Sequence, residues 1–164
     1  RFHKFGLTLH PDKTRKFGFG RFEREHALKQ GRRANTFDFL GFTHFCDKTR
    51  RGKFKVGRKT SRKKFAQKCK AMNDWLKKVR NLVQMKDWWK TLAAKLRGHF
   101  QYYGVSENTR GINNFYAVTR KLVYKWVNRR SQKQSMNWEE FNAYLQHYPL
   151  PKPRIVHSFY LSAC

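Results

Sequence analysis

The chain has 164 residues and a formal net charge of +28 at pH 7, because 38 Lys and Arg residues outnumber 10 Asp and Glu residues. A small domain needs a net charge of only roughly 2–8 to stay soluble, so simple solubilisation explains this excess poorly and a polyanionic partner explains it well. The 16% aromatic content argues against a disordered chain, and no apolar run approaches the roughly 20 residues of a membrane-spanning helix, so nucleic acid is the expected partner and a membrane is not.

The first part of the sequence predicts short strands separated by turns. Residues 7–9 alternate between apolar and polar side chains and precede a turn signal at residues 10–13, which includes a proline. Residues 16–19 are predicted to form the returning strand. Residues 21–35 are polar and show no sustained period, so they are predicted to form an excursion loop with room for a short helix.

An aromatic segment follows at residues 36–42. It ends in Phe-Leu-Gly-Phe, and a glycine at this place is typical of a tight hairpin. Residues 43–46 and 53–56 are predicted to pair as strands across the loop that separates them. The chain up to about residue 57 is therefore predicted to be rich in β-structure.

From about residue 61 the apolar residues recur at helical spacing. A first helix is predicted by six residues that step by three or four and share one face, namely Phe65, Cys69, Met72, Leu76, Val79 and Val83. A second helix includes Trp89 and is predicted to end near Gly104. A third helix begins near Asn108, and a fourth has Asn137 as N-cap with Glu140 three residues later, which resembles a capping box.

These patterns predict an α+β fold in which a short β-rich segment precedes a mainly helical part of three to four helices. The predicted domains are residues 1–57, residues 58–148 and an extended tail at residues 149–164, where three prolines exclude a helix. The three cysteines lack the spacing of a zinc site. They are predicted to be reduced thiols of a cytosolic protein, with Cys69 in the core, and no metal site is predicted.

Two long stretches contain basic residues and no acid, one between Asp47 and Asp74 and one between Glu107 and Glu139. Each accompanies a predicted amphipathic helix whose apolar face belongs to the core, so basic side chains such as Arg80 are left on outer faces to bind phosphates of RNA or DNA. The candidate RNA-binding residues are Arg50, Arg51, Lys53, Arg58, Lys59, Arg62, Lys63, Lys70, Arg80, Arg97, Arg110, Arg120, Lys121, Arg129 and Arg130. Four tyrosines near this charge either stack on bases or belong to the core, namely Tyr102, Tyr103, Tyr116 and Tyr124.

Several motifs carry a resemblance to a known family. Residues 5–14 (Phe-Gly-Leu-Thr-Leu-His-Pro-Asp-Lys-Thr) resemble the palm element that follows the catalytic hairpin of a reverse transcriptase. Residues 37–42 (Phe-Asp-Phe-Leu-Gly-Phe) resemble the primer grip, a hairpin that holds the primer backbone near the active site. Residues 96–104, 123–132 and 151–155 are similar to the maturase-specific thumb, or domain X, of bacterial group II intron proteins. Nearly the whole chain thus resembles the end of the palm and the thumb of a group II intron reverse transcriptase.

The resemblance implies an enzyme that copies RNA into DNA during retrohoming and binds its own intron to help it fold and splice. The implied partners are intron RNA, the primer–template duplex, target DNA and the palm and fingers that precede this part of the enzyme, and the implied location is the bacterial cytoplasm. The implied primer grip comprises Phe39, Leu40, Gly41 and Phe42. For Lys13 the resemblance implies an auxiliary general acid that assists the leaving pyrophosphate, and the alternative is an ordinary surface lysine in a turn.

The sequence departs from the family at the centre of catalysis. It contains no Tyr-Ala-Asp-Asp strand, whose carboxylates hold two Mg²⁺ ions, and this strand is expected upstream of Arg1. The chain is therefore expected to hold no cofactor and to extend no primer by itself, whereas Mg²⁺ is expected in the complete enzyme. Two alternatives stay open, a stand-alone maturase that binds RNA in splicing only and a ribosomal or other structural RNA-binding protein.

Overall fold

The computed structural model describes residues 2–11, 14–130 and 135–159. In chain order its elements are a 3-10 helix at Phe2–Phe5, helix α1 (Glu23–Lys29), strands β1 (Thr36–Phe39), β2 (Phe42–Lys48) and β3 (Phe54–Thr60), and helices α2 (Arg62–Leu82), α3 (Met85–Tyr103), α4 (Thr109–Asn128) and α5 (Trp138–His147). The strands form one antiparallel sheet in the order β1-β2-β3. The α+β fold predicted from the sequence is confirmed, as a short β-rich region followed by a helical part.

The chain divides into two compact units. The first comprises Arg1–Phe37 and His44–Gly57, and the second comprises Asp38–Thr43 and Arg58–Cys164. The predicted domain boundary after residue 57 also separates these units. The tip of the β1–β2 hairpin nevertheless belongs with the helices, and so does the segment after residue 148.

The first unit lacks the two strands predicted near the start of the chain. Residues 7–9 and 16–19 form no strand, so that prediction was wrong. Alternation produces a strand only where another element covers the apolar face, and Leu7 and Leu9 are instead 57% and 58% exposed. Lys13, the candidate catalytic residue, lies outside the described residues.

A buried carboxylate organises the loop of the first unit, in which the short helix α1 forms as predicted. The side chain of Glu23 accepts hydrogen bonds from the Arg32 guanidinium at 2.7 Å and from the Asn35 backbone and side-chain nitrogens at 3.1 and 2.9 Å. The bond from Arg32 is the main reason that the pKa of Glu23 lies below its ordinary value. These contacts close the loop because they satisfy a carboxylate that burial alone would destabilise.

The second unit has its core between helices α2, α3, α4 and α5. The predicted apolar face of α2 is confirmed from Phe65 to Val79, with Met72 and Leu76 buried at its centre. Val83 was wrongly included, because α2 ends at Leu82 and Val83 is 39% exposed.

The cysteines also differ from the prediction. The fully buried thiol among the described residues is Cys46 on β2, whereas Cys69 on α2 is only half-buried. Cys69 lies at the edge of the helical core, and this partial burial raises the pKa of its thiol. Helical spacing therefore located the correct face of α2 for Cys69 but not the depth of its burial.

The ends of the later helices follow the sequence signals. Helix α3 ends at Tyr103 with Gly104 as its C-cap, as predicted. Helix α5 begins with the predicted capping box, in which Asn137 Oδ1 accepts from the Glu140 N–H at 2.9 Å and Glu140 Oε2 accepts from the Asn137 N–H at 2.8 Å. Helix α4 begins after Asn108 as predicted, but the Asn108 side chain does not cap it.

Residues 149–159 form no helix, as the prolines predicted, and this segment packs against the helical unit. Leu150 is buried, and the Trp89 indole N–H donates to the Tyr148 carbonyl at 3.2 Å. Farther along, His157 pairs with Val105 in a parallel bridge. Backbone pairing and burial of an apolar side chain thus fix the segment on the connection between α3 and α4.

Candidate nucleic-acid interface

The tip of the β1–β2 hairpin is a two-residue turn formed by Leu40 and Gly41. Both residues have positive φ angles, 48° and 81°, which is the requirement of a type I′ turn. Gly41 adopts this conformation without a steric penalty, but Leu40 has a Cβ that disfavours it. Leu40 is also 67% exposed, so an apolar side chain stands at the tip in a strained backbone conformation.

Hydrogen bonds and ring contacts fix this tip on the helices. The Tyr102 hydroxyl donates to the Leu40 carbonyl at 2.8 Å, and the Ser61 N–H donates to the Gly41 carbonyl at 2.9 Å. The ring of Phe42 is buried with its centroid 5.3 Å from that of Tyr103. The tip therefore has a defined position relative to the start of α2 and the end of α3.

We expect Leu40→Asn to raise the free energy of unfolding by about 0.5–1 kcal/mol, because Asn enters the left-handed region at a lower cost than Leu. Urea denaturation of the variant and the parent chain measures the difference. A lower stability of the variant would show that packing of the Leu40 side chain outweighs the backbone strain.

A cleft of about 660 Å³ lies beside the tip, between α2 and α3. Ala71 on α2 and Gly98 on α3 line it, and their short side chains leave the space between the helices open. Leu40 and Gly41 also line the cleft. Its volume is within the range of roughly 300–1,000 Å³ that is usual for ligand-binding clefts.

Three lysines give the cleft its charge. Lys64 and Lys68 come from α2 and Lys95 comes from α3. In the described part of the chain none of the three forms an ion pair with a carboxylate. The Lys95 ammonium lies 5.0 Å from the centroid of the Trp75 ring, a cation–π contact that holds it at the cleft wall.

Aromatic side chains form much of the remaining surface of the cleft. Tyr102 is 51% exposed, and Trp75 is half-buried. His99 stacks on Phe115 with 3.6 Å between ring centroids. Burial, together with the nearby charge of Lys68, lowers the pKa of His99 to about 4. His99 is therefore neutral near pH 7, and the lysines alone supply the positive charge.

This arrangement suits a phosphodiester chain. Ammonium groups bind phosphate oxygens as point charges without regard to sequence, and exposed aromatic faces accept a base or a ribose. Among the residues that the structure describes, no three His, Cys, Asp or Glu side chains come together as metal ligands. From the lysines and aromatic rings of the cleft we derive binding and no reaction step.

The residues predicted to form a primer grip divide into three kinds. Leu40 and Gly41 occupy the turn and line the cleft. Phe42 is buried in the core and anchors the hairpin there, whereas Phe39 is 59% exposed. Only the two turn residues therefore have a position from which to contact a ligand in the cleft.

The predicted basic residues lie outside the cleft. Those with exposed side chains are Arg50, Arg51, Lys53, Lys59, Arg62, Lys63, Lys70, Arg97, Arg110, Lys121, Arg129 and Arg130. Three are half-buried, which corrects their predicted placement on outer faces: Arg58 over the Phe159 ring, Arg80 over the Trp126 ring, and Arg120 bonded to Asn142. Arginine packs in this way because its stem and guanidinium plane both favour aromatic and apolar neighbours.

The cleft lysines were missed from the sequence, although a signal was present. Lys64, Lys68, Ala71 and Trp75 step by four, three and four, which places them on one face of α2. That face carries two lysines, one small residue and one tryptophan. A search for basic and aromatic residues that share a face, in addition to apolar stripes, finds this set.

No helix in the described ranges is long and apolar enough to cross a membrane. No protein-family description, curated protein or solved structure matches the chain.

Proposed function

We propose that the chain is the C-terminal part of a group II intron reverse transcriptase and maturase, and that it binds intron RNA and the primer–template duplex. The observation that carries this proposal is the rigid hairpin tip, Leu40 and Gly41, at the edge of a cleft lined by lysines. A strained apolar tip that hydrogen bonds hold in one position is suited to a fixed contact with the backbone of a bound nucleic-acid strand. The motifs that resemble the palm and the thumb supply the rest of the argument.

The electrostatics of the cleft support a nucleic-acid strand as its ligand. Lys64, Lys68 and Lys95 are brought together without carboxylates of the described residues to pair with them. Like charges at close range repel, and a bound polyanion removes that repulsion. The apolar and aromatic lining then excludes water from one side of the strand, which strengthens the phosphate contacts.

In this proposal the chemical step belongs to the palm that precedes the chain in the complete enzyme. The aspartates that hold Mg²⁺ would come from that palm, and the role of Lys13 stays a prediction. The role of the described residues in this proposal is to position the nucleic-acid strand. The location in this proposal is the bacterial cytoplasm.

A second candidate function is a stand-alone RNA-binding protein. The exposed basic side chains of α2 and α4, such as Arg62, Lys63 and Lys121, favour it because they need no cleft to bind a folded RNA. This function predicts that the affinity for nucleic acid depends on the total charge of the protein. The proposed function predicts that it depends on which lysines are changed.

The discriminating experiment replaces three cleft lysines, Lys64, Lys68 and Lys95, with Gln. The matched control replaces three exposed lysines that do not line the cleft, Lys77, Lys86 and Lys90, so both variants have the same net charge. Filter binding across a salt series measures affinity for a primer–template duplex. We expect the cleft variant to bind it about tenfold more weakly. Its salt slope should be smaller by roughly 2–3, because each phosphate that a lysine neutralises adds about 0.7–0.9 to the slope.

The control and the parent chain should give similar slopes in this experiment. For a folded intron RNA that presents about six to ten phosphates to the protein, the parent slope should be roughly −4 to −9. Equal weakening in the two variants would favour the stand-alone function. Unchanged binding by the cleft variant would exclude the cleft as the site.

A further inference from the structure

A second group of basic residues surrounds a single indole, away from the residues that line the cleft. The guanidinium carbons of Arg80 and Arg129 lie 4.6 and 5.8 Å from the centroid of the Trp126 ring. The ammonium nitrogen of Lys125 lies 5.0 Å from the same centroid. We call these four residues the Trp126 cluster.

The cluster is built on the ends of two packed helices. Arg80 lies in the last turn of α2, Lys125 lies in the last turn of α4, and Arg129 follows α4 directly. Trp126 is only 6% exposed, and its indole N–H donates to Asn73 Oδ1 at 3.0 Å. The ring therefore has a fixed orientation, and it is a rigid base for the three cations.

Each cation is positioned but not neutralised. Arg80 donates one N–H to the Arg129 carbonyl at 3.0 Å, which orients its guanidinium and leaves other donors of the group available. Among the described residues no carboxylate forms an ion pair with any of the three cations. Lys125 and Arg129 are exposed to solvent, so an anion can reach them.

Structural roles account for only part of this arrangement. The negative ends of the α2 and α4 dipoles stabilise cations, and so does the face of the indole ring. Neither effect explains why three like charges share one ring. A single anion that contacted both guanidinium groups would reduce this repulsion and would accept charge-assisted hydrogen bonds from them.

We propose that the Trp126 cluster is a binding site for a phosphate group of an RNA backbone, separate from the cleft. The assignment of RNA as the source of the phosphate rests on the proposed function, whereas the phosphate site itself does not. The two sites share no residues. An RNA that occupies both is held on α2 and α4 as well as at the hairpin tip.

The test follows the indole N–H of Trp126 by NMR in ¹⁵N-labelled protein, with its signal assigned from Trp126→Phe. Inorganic phosphate is added first, against sodium chloride of equal ionic strength, and a short single-stranded RNA is added in a second titration. We expect both ligands to shift the Trp126 signal saturably, with smaller changes at the other indoles.

The variant for this test is Lys125→Gln with Arg129→Gln, because these exposed residues can be changed without opening the core. The matched control is Lys77→Gln with Lys78→Gln on the exposed surface of α2. We expect the cluster variant to bind phosphate about tenfold more weakly or worse, since two charged donors are removed, and the control to bind like the parent chain.

Three outcomes would overturn the proposal. A Trp126 signal that phosphate does not move beyond the chloride titration excludes the site. Equal weakening in the cluster variant and the control shows a general charge effect. A shift with inorganic phosphate but none with RNA overturns the RNA assignment. The cleft lysine variant distinguishes the two proposals, because its weaker primer–template binding should leave the phosphate titration of Trp126 unchanged.

Discussion

Replacing Asn108 with Leu is expected to lower the free energy of unfolding by roughly 1–3 kcal/mol, because the Thr60 N–H loses its acceptor and the Tyr103 carbonyl loses one of its two donors. Asn108 is 1% exposed. Its Oδ1 accepts from the Thr60 N–H at 2.8 Å, and its Nδ2 donates to the Tyr103 carbonyl at 2.8 Å. The Thr60 hydroxyl accepts a further bond from Nδ2 at 2.8 Å. One side chain therefore connects the end of β3 to the end of α3.

The surroundings of Asn108 are closely packed. A Cβ on Gly111 would collide with Asn108 Oδ1, which shows how closely the amide is enclosed. The carbonyl of Tyr103 keeps a bond from the Val105 N–H at 2.9 Å after the substitution, whereas the Thr60 N–H loses its bond to Asn108 Oδ1. The cost of the substitution therefore comes mainly from the lost acceptor of the Thr60 N–H.

Urea denaturation measures this effect, and Asn113→Leu is the matched control on an exposed surface of α4. The control should change stability by less than about 0.5 kcal/mol. If Asn108→Leu differs from the control by less than about 1 kcal/mol, the side chain does not hold the end of β3 in the way described.

The helical part of the fold was predictable because its signals are local. The capping box at Asn137 and Glu140 needs only residues three apart, and the end of α3 is marked by one glycine. The prediction of a strand at residues 7–9 was wrong because a strand needs a partner elsewhere in the fold, and an alternating sequence pattern does not identify that partner. The role of Asn108 was missed for the same reason, since its partner Thr60 is distant in sequence.

The candidate site shows the same division. The turn at Gly41 follows from local chemistry, because a glycine in a two-residue hairpin supplies the positive φ that the turn requires. The cleft depends on Ala71 and Gly98 lying on facing helices, which only the packing of α2 and α3 establishes. Arg80 was placed on an outer face because nothing near it in the sequence indicates Trp126.

Gly41→Val is expected to have the second large effect, a decrease of roughly 2–4 kcal/mol in the free energy of unfolding together with weaker primer–template binding. The φ of +81° is unfavourable for a β-branched residue. A Cβ at this position would also lie 3.1 Å from the Tyr103 hydroxyl oxygen and 3.6 Å from Lys64 Cγ. The turn or the Tyr103 side chain must therefore shift by a few tenths of an ångström, which changes the position of the tip relative to the cleft.

Gly52→Val is the matched control, since Gly52 has a φ of +76° and nothing within 4 Å of its added Cβ. The control carries the backbone strain alone, so the additional destabilisation at Gly41 measures the contact with Tyr103. We expect the control to bind the primer–template duplex like the parent chain. Urea denaturation and filter binding give the two quantities.

A double-mutant cycle with Tyr103→Phe tests the cause directly. Removing the hydroxyl opens the space that the added Cβ needs, so Gly41→Val should cost less stability in the Tyr103→Phe background than in the parent chain. The backbone strain should persist, which keeps the cost above that of a neutral surface change. Binding should recover in part, because Phe42 and Ser61 still hold the hairpin near its original place. Equal costs in both backgrounds would mean that the turn conformation alone, and not its contact with α3, fixes the tip at the cleft.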